Sequence, residues 1–208
     1  RRGKGLLPAL ERKLSRANDL LSVASLDLVR VRLYESTRAA RDKSQVVCDM
    51  LDAWLTGRNE AQVRLTDAFD DDPIWRMGLD AALDDLLREI AMLDEGLRMV
   101  GERLDTDKAR ADELAPLLGE IRGVSRRLQG AGDALRGALR SGRDAGETVR
   151  WLERRPGEGN IGAASVPLDL APILRDDLFV RLETAVITSA TLAVADGFSF
   201  MARRLGLD

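Results

Sequence analysis

The chain has 208 residues, 45% hydrophobic and 32% charged, with 32 basic against 35 acidic side chains and a formal net charge of −3. It can bury one sizeable core and is no polycation, so any nucleic-acid contact must come from a local patch. With no histidine and a single cysteine, Ser-His-Asp and Cys-His catalysis, an ordinary zinc site, an internal disulfide and a four-thiolate cluster are excluded. The apolar runs are too short for a bilayer span, and Arg1-Arg2-Gly3-Lys4 leads into no signal-peptide core, so a reducing, cytoplasmic setting is the expectation.

Aromatic residues make up only 4% of the chain, while Leu and Ala recur at helical spacing, which predicts packed long helices. Leu26, Leu33, Ala40, Val47 and Trp54 repeat by sevens and predict a helix over about residues 22–56. Gln62 to Thr66 is a candidate strand. Asp70, Asp71, Asp72 and Pro73 then form a helix start, with Asp72 as N-cap and negative charge at the positive end of the dipole. The helix that follows carries two seven-residue rows, Leu79, Leu86, Leu93, Val100 and Leu83, Ile90, Leu97, Leu104. A second seam lies in Leu114, Ile121, Leu128 and Leu135, with Leu117, Val124, Ala131 and Ala138 behind it; bending is expected near Pro116. Joined around Asp105 to Lys108, the two seams predict an antiparallel hairpin.

After about residue 147 the texture changes. Thr148 to Leu152 and Ile161 to Pro167 read as short strands on either side of the Pro156-Gly157-Glu158-Gly159 turn. Asp169 to Leu178 reads as a helix, Thr184 to Thr188 as a short strand of the buried parallel kind, and Gly197 to Leu205 as a final helix. A parallel strand needs neighbours on both edges, and nothing else in the chain supplies them. The missing sheet is therefore expected outside this segment, and the non-Met start and the end directly after an apolar stretch read as those of a fragment.

Val166-Pro167-Leu168-Asp169, Leu178-Phe179, Ala185 to Leu192 and the run from Phe198-Ser199-Phe200 to Leu207 together resemble the DinG/XPD family of superfamily 2 DNA helicases. The likeness is to the stretch where the chain leaves the family's inserted arch and re-enters its first motor domain. The resemblance implies a 5'-to-3' ATP-dependent DNA helicase, in bacteria a cytoplasmic, nucleoid-associated enzyme, whose parent uses ATP and Mg and often a 4Fe-4S cluster. Thr188, Ser189, Ala190 and Thr191 match its motif III, which couples the ATP site to the nucleic-acid site. Hydroxyl side chains can exchange partners without burying a charge, which suits that role. The implied fold is mainly α: residues 1–21 as flank of the first motor, 22–168 as an arch-like insertion of long antiparallel helices with a few short strands, and 169–208 as a small α/β piece of an incomplete RecA-like motor. Implied partners are single-stranded DNA, the remaining motor domains and proteins docking on the arch, with no membrane.

Departures from the family pattern bear on activity. No G-x-x-x-x-G-K-[ST] loop is present, Gly3-Lys4-Gly5 lacking the upstream glycine and the hydroxyl, and no acidic metal box or four-cysteine set exists. No cofactor, metal or catalytic residue is therefore expected in this segment, which alone should not hydrolyse ATP. Residues 61–106 carry an excess of acids and 107–155 an excess of bases. At about 100° per residue, Arg122, Arg126, Arg136, Arg140 and Arg143 share one helical sector. That stripe either tracks a DNA backbone or covers the seam with arginine stems. Arg150, Arg154 and Arg155 beside Trp151 are the other candidate DNA contacts, and Cys48 reads as an inert thiol. A helical adaptor that binds a partner protein is the alternative function.

Overall fold

A computed structural model describes residues 5–17, 19–140, 147–156, 160–189, 193 and 197–207. Helix α1 (Leu6–Leu14) buries Leu6, Leu10 and Leu14 along one face. Asp19 caps the next helix, its carboxylate accepting the Ser22 N–H at 2.8 Å. That helix runs as α2 (Leu20–Asp27), a π-helical turn over Leu28–Leu33 and α3 (Tyr34–Gly57), so the long helix expected from the sequence is one rod with a widened turn. It stops where Asn59 turns left-handed at φ 55°, with the Asn59 and Glu60 N–H groups bonding back to the Thr56 and Leu55 carbonyls.

Strand β1 (Gln62–Leu65) and the single turn α4 (Asp67–Asp70) lead to Asp72. Its Oδ1 accepts the Ile74 N–H at 3.0 Å and its Oδ2 takes the Arg58 guanidinium at 2.7 Å, so the helix start read from the sequence forms. The helix does not run straight on. Gly78, at φ 127°, kinks it, and a π-helical turn over Trp75–Leu79 passes into α5 (Asp80–Asp105). A 3-10 turn at Lys108–Arg110 then reverses the chain into α6 (Ala111–Leu139), which holds Pro116 in its second turn and runs antiparallel to α5.

Both seven-residue rows of α5 are buried from Leu79 to Leu104, apart from half-buried Ile90. Toward the α5–α6 turn, Leu93, Leu97, Val100 and Leu104 pack with the leucines of α1, with Val29 and Leu33, and with Leu114, Leu118 and Ile121. Toward the opposite end, Leu79, Leu83, Leu86 and Leu87 pack with Val47, Leu51 and Leu55 and with Phe69, Leu139 and Leu152. On α6 the inner row differs from the one expected. Leu118, Ser125, Gly132 and Leu139 lie toward α5, whereas Leu117 is only half-buried and Ala131 is exposed. The reason is helical geometry, which places i+4 as well as i+3 beside the leading row.

Strands β1, β2 (Thr148–Arg154) and β3 (Ile161–Pro167) form an antiparallel sheet in that order, with Leu65 opposite Arg150 and Trp151 opposite Arg64 and Ala164. The hairpin is thus inserted between two paired strands. Leu65, Arg150 and Leu152 point into the core, leaving Arg64, Trp151 and Ala164 on the other face.

Beyond Pro167 the packing changes. A short helical stretch, α7 (Ala171–Ile173) continuing through Leu174–Leu178 and Phe179–Arg181, is followed by α8 (Ser199–Leu205). Gly206 closes α8 at φ 70°, so near the Ala171 carbonyl that a Cβ would stand 2.2 Å from its oxygen. The strand expected over Thr184 to Thr188 does not form: residues 183–189 have no regular secondary structure and are exposed. An extended segment with neither edge paired has no ladder bonds to hold it. Val180 is 74% exposed and Val186 84%, and Leu168, Leu178, Phe198 and Phe200 are exposed as well.

Because α5 is buried on two sides, Leu83→Ala is expected to destabilise the chain by about 2–5 kcal/mol in urea unfolding. A loss under about 1 kcal/mol would contradict the packing described.

Candidate nucleic-acid interface

The described arginines singled out by the sequence lie in two places, at the foot of the hairpin and along α6. At the foot of the hairpin, Arg150 points inward from β2 with its side chain 3% exposed; its Nη2 lies 3.3 Å from Asp70 Oδ2, and its Nη1 reaches the Leu139 carbonyl at 3.5 Å. Arg154 donates from Nε to Asp52 Oδ1 at 2.6 Å, from Nη2 to the Asp52 carbonyl at 3.0 Å, and to Thr56, tying the end of β2 to α3. Arg155 lies over Gly162 and pairs with Glu153 at 2.9 Å. Trp151 stands on the outer face of the sheet, across from Arg64.

Along α6, Arg140 bridges to Asp80 at 2.7 Å and Asp84 at 2.8 Å, pinning the end of this helix to the start of α5. Burial alone would lower its pKa, but the Asp84 and Asp80 carboxylates more than offset that and raise it. Arg136 pairs with Asp133 at 2.8 Å and Arg122 lies 3.9 Å from Asp105. Arg126 and its neighbour Arg127 are exposed and make no ion pair among the described residues. Arg143 lies outside the described residues. The stripe is therefore largely neutralised by acids from α5 and from its own helix, with its freest charge near Arg126.

Thr188 and Ser189 lie in the exposed segment after Phe179–Arg181, and Ala190 and Thr191 lie outside the described residues. Cys48 is half-buried on α3, and burial pushes its thiol pKa up. It is the single cysteine, and among the described residues no three His, Cys, Asp or Glu side chains gather as a metal would require. One cysteine cannot ligate a 4Fe-4S cluster, and the donors among the described residues do not fit a Mg-nucleotide site. Among the described residues no helix is long and apolar enough to cross a membrane.

Sequence reasoning missed the hollow between α5 and α6. A groove of about 480 Å3 opens beside Asp94, Ile121 and Arg126, and a narrower one of about 250 Å3 continues past Ile90 and Gly132. Gln129 Nε2 donates to Asp94 Oδ2 at 2.7 Å between them. The signal was present in the pattern, since Ser125 and Gly132 occupy inner positions where a filled seam carries aliphatic side chains.

The fold and these surfaces define a helical hairpin braced by a small sheet, with an acidic α5 against an α6 whose acids and bases balance. Over 68 residues, 32% of the chain, it is 38% identical to the 3'-5' exonuclease DinG of Bacillus subtilis (strain 168). That stretch covers 7% of the relative, so the chain spans a small part of its length. No family model matches the chain. The comparison therefore shows a partial likeness to DinG over about a third of the chain.

The inward course of Arg150 gives a direct check. Arg150→Ala should cost roughly 3 kcal/mol in chemical denaturation, because it removes a buried side chain that ties Asp70 to the Leu139 carbonyl. Arg155→Ala, at an exposed pair, should cost under about 1 kcal/mol. Equal costs would contradict the assignment of one arginine to the core and the other to the surface.

Proposed function

We propose that the chain is part of a DNA helicase of DinG/XPD type, 5'-to-3' and ATP-dependent in its parent, in which the α5–α6 hairpin forms an arch beside the single-stranded path. The residues after Pro167 would belong to the first motor domain, with Thr188 to Thr191 relaying the state of its ATP site. One observation carries this reading: in a chain similar over 68 residues to DinG, a well-packed helical body is followed by a stretch whose apolar side chains are exposed. Leu168, Leu178, Val180 and Val186 in water are what a piece of sheet-and-helix architecture looks like when the strands that cover it lie elsewhere. ATP, Mg and any cluster belong to the parent in this reading, since the described residues do not fit them.

The curated relative is named for an exonuclease activity. Nuclease sites of the two-metal kind hold their ions with gathered carboxylates. The described residues gather no such set, and exonuclease chemistry is not proposed for this segment.

The internal pairing of Arg136, Arg140 and Arg154 favours a second reading, a helical adaptor for a protein partner. Binding of a labelled single-stranded oligonucleotide, titrated at several salt concentrations, separates the two. The helicase-segment reading expects affinity that falls as salt rises, and an Arg122→Ala/Arg126→Ala/Arg127→Ala variant that binds more weakly with a shallower salt dependence, by about 0.7 per lost phosphate contact. Absence of binding at low salt would favour the adaptor.

A further inference from the structure

The trough between α5 and α6 is where the hairpin is least filled, and residue size is the cause. Along the inner row of α6, Leu118 and Leu139 bracket Ser125 and Gly132, and α5 brings Asp94 and Gly101 to the same hollow. A seam packed to native density would carry aliphatic side chains there. Two buried polar atoms in the trough, Asp94 Oδ1 and Ser125 Oγ, have no hydrogen-bond partner. A carboxylate oxygen can only accept, so Asp94 Oδ1 calls for an N–H or O–H donor, whereas the Ser125 hydroxyl can donate or accept.

Around these two atoms the chemistry is specific. Leu118 and Ile121 form the apolar floor, 7% and 2% exposed. At the rim Arg98 pairs with Glu102 at 2.9 Å and Arg122 lies 3.9 Å from Asp105, which leaves Arg126 as the rim guanidinium with no ion pair among the described residues. Water alone would satisfy the two polar atoms but would leave the apolar floor unmatched. A basic side chain from a protein partner would meet Asp94 yet face Arg126 with like charge.

We propose that this trough holds one nucleotide unit of a single strand. Its base lies against Leu118 and Ile121, an N–H of the base edge donates to Asp94 Oδ1, Ser125 Oγ bonds an adjacent edge atom, and the phosphate faces Arg126 and Arg122. The inference rests on the nucleic-acid reading above and adds a base-recognising pocket to it. The Gln129–Asp94 hydrogen bond fixes the carboxylate so that its second oxygen stays directed to the ligand.

The test is fluorescence anisotropy with the full chain and two labelled strands of equal phosphate count, oligodeoxycytidine and a fully abasic strand. Oligodeoxycytidine is expected to bind about tenfold more tightly, the scale of a stacked base with a hydrogen bond to a charged acceptor. Asp94→Asn keeps the size of the side chain and a partner for Gln129, and should erase the preference while abasic-strand affinity holds or rises, a negative charge having been removed. Ser125→Leu, which fills the trough, should do the same, with helicity by circular dichroism checking that each variant folds. Equal affinity for the two strands, or a preference that survives Asp94→Asn in a folded variant, would overturn the pocket and leave the interface standing. Failure of both strands to bind would overturn the interface reading as well. Competition by free deoxycytidine monophosphate as strong as that of the strand would overturn the assignment to a strand.

Discussion

The structure depends on the burial of α5 on two sides. A helix that faces the α2–α3 rod on one side and α6 on the other cannot shift its register without exposing leucines from both rows. Gly96 marks how close the rod comes, since a Cβ there would stand 2.5 Å from Leu33 Cδ2. The ends are then closed by different means. Leucines of α1 fill the end near the α5–α6 turn, and the sheet fills the other through Leu65 and Leu152. Pairing β1, which precedes the hairpin, with β2, which follows it, makes the hairpin an insertion whose two roots are fastened together.

That arrangement gives each charged group its meaning. Arginines near the roots, Arg140, Arg150 and Arg154, bind helices and strands to one another, so they act through positioning and leave little charge for a ligand. Farther along α6 the packing loosens at Ser125 and Gly132, and the acids of α5 are answered less completely. A rigid hairpin with a softer, polar middle is suited to bordering a flexible anionic polymer. In the proposed reading its rigid foot would hold the geometry while the trough would supply the contacts.

Much of this was legible in the sequence. The seven-residue rows of α5 gave its buried face almost residue by residue, because a buried helix repeats its apolar pattern wherever it lies. The strands were legible from Thr148 to Pro167 because alternation and a Pro/Gly turn mark them locally. What was not legible depended on distant partners. The acids that pair with Arg140 and Arg154 lie 56 to 102 residues away in sequence, and no local pattern distinguishes an arginine aimed at solvent from one aimed at another helix. Choosing Leu118 over Leu117 required knowing where α5 sits. The β-branched run before Ser189 has the composition of a strand, yet strand formation is a property of pairs.

The central claim is that a self-supporting hairpin body carries a C-terminal stretch with no core of its own. Native-state hydrogen exchange of the chain tests it most directly. Amides of α5 around Leu83 to Leu97 should open only with global unfolding, while those of residues 183–189 should exchange at nearly the rate of an unprotected chain. Strong protection of residues 183–189, at the level of the sheet strands, would contradict the account.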